Sequence, residues 1–220
     1  VFSISMYMTP EYTNAWSAMF IQSALRFGYY LLPFSMVVVC VMIANRETNN
    51  NGILKMLALP ISKGKLALTK FFVLLSFLAI QLLIFFISFV IAGIIATKIM
   101  NVTESIPVFY LLTWTLKLFT TMIPAISCMW AITILFEKPL LSMGLNLLLI
   151  IPGVLVANTP LWIVYPYCYS GYVVSNALHT VTATDTGSTL SLFPFIPCTV
   201  IISVFAICVS IKYFGRKEMS

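Results

Sequence analysis

Charge is what this chain has least of: 8% of its 220 residues are charged, with 6 Asp and Glu against 12 Lys and Arg. A soluble domain carries about 25% charged residues, so this composition cannot clothe a fold that faces water on every side. Histidine occurs once, at His179, with no Asp, Glu or Cys at metal-ligand spacing and no second base nearby. That argues against a metal centre and against hydrolytic chemistry, and neither catalytic nor metal-binding residues are expected. The five cysteines, Cys40, Cys128, Cys168, Cys198 and Cys208, form no CxxC or Cys/His pair and read as small apolar packing residues. No phosphate-binding G-x-x-x-x-G-K-[ST] run is present; the nearest fragment is Gly64-Lys65-Leu66. The chain cannot cradle a nucleotide itself.

Apolar residues fill the space that charge leaves, at 61% of the chain with a mean hydropathy of +1.05. A membrane-crossing helix needs about 20 mainly apolar residues, and five segments meet that need: 24–44, 66–97, 108–136, 140–157 and 193–213. The second and third are long enough to tilt or to overrun the bilayer. The expected fold is an all-α integral membrane bundle forming one domain over residues 1–220, with no internal repeat.

The net charge of +6 does not point to nucleic acid, because the basic residues are scattered through short loops. They report topology instead. Arg46, Lys55, Lys63, Lys65 and Lys70, then Lys138, then Lys212, Arg216 and Lys217 all fall on one side under simple alternation, nine of the 12. By the positive-inside rule that side is cytoplasmic and holds the C-terminus. The residues before the first span then lie outside, and a chain that starts at Val1 without Met or a signal-like n-region leads us to expect a sixth span upstream.

The connection over 45–65 is unlike the others. Ile53, Leu54, Met56, Leu57 and Leu59 give about two apolar turns that follow Asn51-Gly52 and stop at Pro60. Ile53, Met56 and Leu57 share a face, so a short amphipathic helix lying on the membrane surface is expected, with Lys55 turned away from the bilayer. Such an element serves equally as an interfacial turn with snorkelling lysines or as a dock for a cytoplasmic partner. A plain reversal needs only about two to eight residues, which favours an added task.

The order Glu47, Gly52, Leu54-Lys55-x-Leu57-x-Leu59-Pro60-Ile61-Ser62-Lys63, then Lys70 opening a long span, resembles the coupling segment of type-two ABC exporter permeases. Trp16, Leu31-Leu32-Pro33 and the late Trp162…Tyr165-Pro166 are similar, more loosely, to the lantibiotic-immunity branch of those permeases. The resemblance implies six spans and a pair of permeases, identical or different. It also implies a coupling helix made of Glu47, Gly52, Ile53, Leu54, Lys55, Leu57, Leu59, Pro60, Ile61 and Lys63 that docks on a separate ATPase subunit. ATP and Mg would be held by that subunit and no cofactor by this chain. The implied cargo is an amphipathic peptide expelled for self-protection, in a bacterial plasma membrane.

Four residues are expected along the path of such a cargo: Arg26, Lys117, Trp162 and Tyr165. Lys117 falls about ten residues into the third span, where a charge is costly unless it snorkels to the interface; Arg26 reads equally as an interfacial anchor. Trp162 and Tyr165 belong to the outer connection 158–192, whose aromatics and Pro160 and Pro166 predict short interfacial or re-entrant pieces. Pro33, Pro124 and Pro152 predict kinks, serving as hinges or as static packing. The competing reading is an ATP-independent membrane protein, a secondary transporter or an anchor; the lack of Asp or Glu within the spans disfavours ion coupling. An intramembrane enzyme is disfavoured by the absence of an acid/base set.

Overall fold

The computed structural model describes residues 14–48, 63–100, 104–136, 138–181 and 192–216. Every element among them is helical: α1 (Ala15–Arg26), a π segment (Phe27–Leu31), α2 (Leu32–Thr48), α3 (Lys63–Met100), α4 (Val108–Leu135), α5 (Pro139–Ile150), α6 (Gly153–Val156), 3₁₀ turns at Pro160–Val164 and Pro166–Cys168, α7 (Tyr169–Val181) and α8 (Leu192–Arg216). Five stretches are long and apolar enough to cross a membrane: Ala15–Asn45, Gly64–Ile99, Val108–Leu135, Pro139–Val156 and Pro194–Tyr213.

The first span differs most from its expected bounds. Its helix starts at Ala15 and not near 24, so Trp16 lies in its first turn instead of ahead of it. Polar capping explains the early start. The Asn14 side chain accepts the Ser17 N–H at 3.1 Å, and the Ala15 N–H donates to Glu104 Oε2 at 2.9 Å. A carboxylate at a helix N-terminus also meets the positive end of the dipole. Trp16 donates its indole N–H to the Glu104 carbonyl at 3.2 Å, and its ring fills the space above Gly93 of α3, where a β-carbon would lie 3.4 Å from it.

Pro33 sits just past the π segment and accounts for the hydrogen bonding there. The Leu32 N–H reaches back five residues to the Phe27 carbonyl. The next donor in that register would be residue 33, and proline has none. The buried Gly28 carbonyl is thereby left without its helical partner, and the Ser170 hydroxyl of α7 donates to it at 2.8 Å. The approach is close because both helices offer glycine. A β-carbon on Gly28 would lie 3.3 Å from Leu118 Cδ2, and one on Gly171 would lie 2.2 Å from the Tyr29 ring.

At the centre of the bundle is α4, which packs against α8, α3, α2, α5 and α7 and buries Leu118, Met122, Ile126, Met129 and Trp130. Its buried threonine hydroxyls bond back to their own helix, as polar groups in hydrocarbon favour: Thr115 donates to the Leu111 carbonyl at 2.9 Å and Thr133 to that of Met129 at 2.7 Å, while the buried Trp130 indole N–H has no partner among the described residues. Pro124 lies inside α4 and Pro197 inside α8, the second not anticipated from sequence. Pro152 coincides with the break between α5 and α6.

Candidate functional site

One end of the bundle gathers the chain reversals that carry Lys65, Lys138 and Lys212, all exposed. A β-carbon on Gly64 would lie 3.5 Å from Ile211 Cγ2, which brings the start of α3 against the end of α8. Lys70 lies near this end and is buried. Of the expected coupling residues, Gly52, Ile53, Leu54, Lys55, Leu57, Leu59, Pro60 and Ile61 lie outside the described residues. Glu47 falls in the last turn of α2 and Lys63 opens α3. Glu47 and Lys63 thus stand at the ends of the two helices that flank the coupling segment.

The opposite end is built from α1, α7 and the two 3₁₀ turns. As the prolines predicted, the chain after α6 is broken at Pro160 and Pro166, and it then enters α7, whose main neighbour is α1. Trp162 stacks on Tyr172 at 4.1 Å and 24°, and also meets Phe195 at 5.7 Å. The Tyr165 hydroxyl donates to the Leu149 carbonyl in the last turn of α5. The Tyr167 hydroxyl bonds Asn146 Oδ1 at 3.1 Å, while the Asn146 amide donates to the Ser142 carbonyl at 3.0 Å. Tyr169 donates to the Ile163 carbonyl. Burial pushes Tyr165, Tyr167 and Tyr169 above the usual phenol range, which keeps each protonated and able to donate. It pushes the Cys168 thiol up to about 12.

The structure therefore brings Trp162 and Tyr165 together in one aromatic turn whose contacts lie within the chain. Arg26 and Lys117 are both exposed and stand apart from that turn. Lys117 Nζ lies 4.0 Å from the centroid of the Trp114 ring, a cation–π contact. A groove of about 400 Å³ beside the π segment is lined by Phe27, Ser35, Gln81, Phe85 and Ser88; within it Ser35 donates to Gln81 Oε1 at 3.0 Å. Among the described residues no group of three or more His, Cys, Asp or Glu converges on a point.

Sequence reasoning missed Glu104, Ser170 and Asn146. Glu104 was the most legible, as the acidic residue between the second and third spans. Nothing local marks Ser170, whose partner lies 142 residues away.

These features define a helical membrane bundle with reversals at one end and an aromatic cap at the other. The family described as ABC-2 family transporter protein matches residues 1–153, well over half the chain, and the protein belongs to it. The match takes in the first three spans and most of the fourth, and stops before the aromatic turn. No curated protein and no solved structure matched.

Proposed function

We propose that this chain is the membrane-spanning subunit of an ATP-driven exporter that removes a lantibiotic-type amphipathic peptide from the membrane of the cell that carries it. Membership of the ABC-2 transporter family carries the reading. ATP and Mg are then held by a separate ATPase subunit, in keeping with a sequence of 220 residues that carries no phosphate-binding loop. In this reading residues 45–65 form the coupling element on the cytoplasmic side, in the positions from Glu47 to Lys63, and a second permease, identical or different, completes the pathway.

The cargo assignment draws on the resemblance of Trp162 and Tyr165-Pro166 to the immunity branch. The exposed Arg26 and the groove beside the π segment, apolar and aromatic with a few hydroxyl and amide groups, suit an amphipathic chain more than a small ion. The test is peptide sensitivity of the host. Deleting the gene is expected to lower the inhibitory concentration of a lantibiotic-type peptide several-fold, with restoration by the intact gene. Unchanged sensitivity across a panel of such peptides would contradict the cargo while leaving the family assignment in place.

A further inference from the structure

The depth of Lys117 can be counted from the basic end of the bundle. Phe136 ends α4 beside Lys138; going back across about 30 Å of hydrocarbon at 1.5 Å per residue takes about 20 residues and arrives at Leu116–Lys117. The same count from Lys65 on α3 arrives at Phe85, and from Asn45 on α2 at Leu25. These three levels coincide in the structure. Phe27 stacks on Phe85 at 4.4 Å and 8°, and Gly28 faces Leu118. Tyr29 and Tyr30 follow Gly28, and Trp114 lies one turn from Lys117 with Tyr110 beside it, as aromatics do near a membrane interface. Lys117 thus stands at the far hydrocarbon boundary, with the Trp114 ring as its support.

Lys117 is exposed on α4. The one carboxylate among the described side chains, Glu104, is engaged at the start of α1. One helical turn from Lys117, on the side toward Lys138, a groove between α4 and α8 of about 250 Å³ is lined by Thr120, Ile123, Pro124, Thr199, Val200, Ser203 and Val204. Its hydroxyls are satisfied by their own helices: Thr120 donates to the Lys117 carbonyl at 3.0 Å and Ser203 to that of Thr199 at 2.7 Å. The groove asks for no polar partner. It is smaller than the about 300–1,000 Å³ of drug-sized pockets.

We propose that Lys117 and the α4–α8 groove hold one anionic phospholipid of the leaflet opposite the basic loops, its phosphate on the ammonium and one acyl chain in the groove. A cation at the headgroup level above a mostly apolar groove matches a lipid, whereas a free phosphate has no use for the groove. The inference does not depend on the exporter reading.

The test reconstitutes the full chain in vesicles of phosphatidylcholine and phosphatidylglycerol at 3:1, re-extracts it in mild detergent, and measures retained lipid by native mass spectrometry. Wild type is expected to carry phosphatidylglycerol enriched over the bulk ratio. Lys117→Gln should cut that enrichment about fivefold, the effect of one cation near the surface, while Lys117→Arg keeps it. Ser203→Leu, which fills the groove and leaves the lysine, should lower the lipid retained even if Lys117→Gln does not fold. No enrichment in wild type, or enrichment unchanged in both Lys117→Gln and Ser203→Leu, would overturn the proposal. So would disulfide pairing between two chains carrying Lys117→Cys, since a second copy would then cover this face.

Discussion

Replacing Ser170 by alanine should remove the side-chain donor that reaches the Gly28 carbonyl among the described residues. Gly28 and Ser170 are both buried, and their hydrogen bond is 2.8 Å long. A buried polar group that loses its partner costs about 1–3 kcal/mol, which for a chain of this size corresponds to a fall in melting midpoint of about 2–12 °C on the soluble-protein scale. The cause can be isolated by a second substitution. Pro33→Ala restores an N–H five residues after Gly28, in the register that Leu32 and Phe27 already use, so the helix can satisfy the carbonyl itself. Ser170→Ala should therefore cost clearly less in the Pro33→Ala background than in wild type, and the double-mutant cycle should show a coupling energy of about 0.5–3 kcal/mol. Midpoints read by fluorescence-detected size exclusion of detergent-solubilised protein after a heating series would measure all four corners. Additive effects of the two substitutions would refute the argument that Pro33 creates the vacancy Ser170 fills.

The same joint gives a second prediction. Gly171→Ala places a methyl 2.2 Å from the Tyr29 ring, an overpacking that should cost about 1–3 kcal/mol; Tyr29→Ala in the same chain should relieve part of it, measured as above. A third concerns Cys168, buried, with its thiol pushed up to about 12 by burial. The raised value means less thiolate below that pH, so a variant retaining only this cysteine should react with maleimide at pH 8.5 about a thousandfold more slowly than an exposed thiol. Labelling followed by mass spectrometry checks this, and unfolding in denaturant should abolish the protection.

The spans were legible because hydrocarbon imposes a length and an apolar composition that few sequences meet by accident. Even so, α1 was underestimated. Its sequence AWSAMFIQSALR carries Gln22, Ser23 and Arg26, and its face is buried by α7, an element that lies far along the chain. Amphipathic residues above the membrane look like a loop until their partner is known. Pro33 announced an irregularity but not its kind, since whether a helix kinks or widens to a π turn is decided by which donor arrives from outside, here Ser170. The aromatics after Asn158 were read as interfacial pieces, and the breaks at Pro160 and Pro166 are where expected. That Tyr167, Cys168 and Tyr169 would be buried was not legible, because it depends on Asn146 and on α1. For the site, the coupling order Glu47 to Lys63 is a local sequence pattern, and its middle lies outside the described residues. The level of Lys117 follows from counting residues along α4, whereas the groove beside it required the packing of α4 on α8.

The central claim is that a membrane bundle without a nucleotide site is driven through the segment 51–63 by a separate ATPase. The most direct measurement is co-purification of the full-length permease with a candidate ABC ATPase from the same organism, comparing wild type with a Leu57→Asp, Leu59→Asp double variant, with membrane insertion of both checked by protease protection. Loss of the ATPase from a variant that still inserts is the predicted result. Undiminished binding would contradict the account and leave the segment a turn that only sets topology.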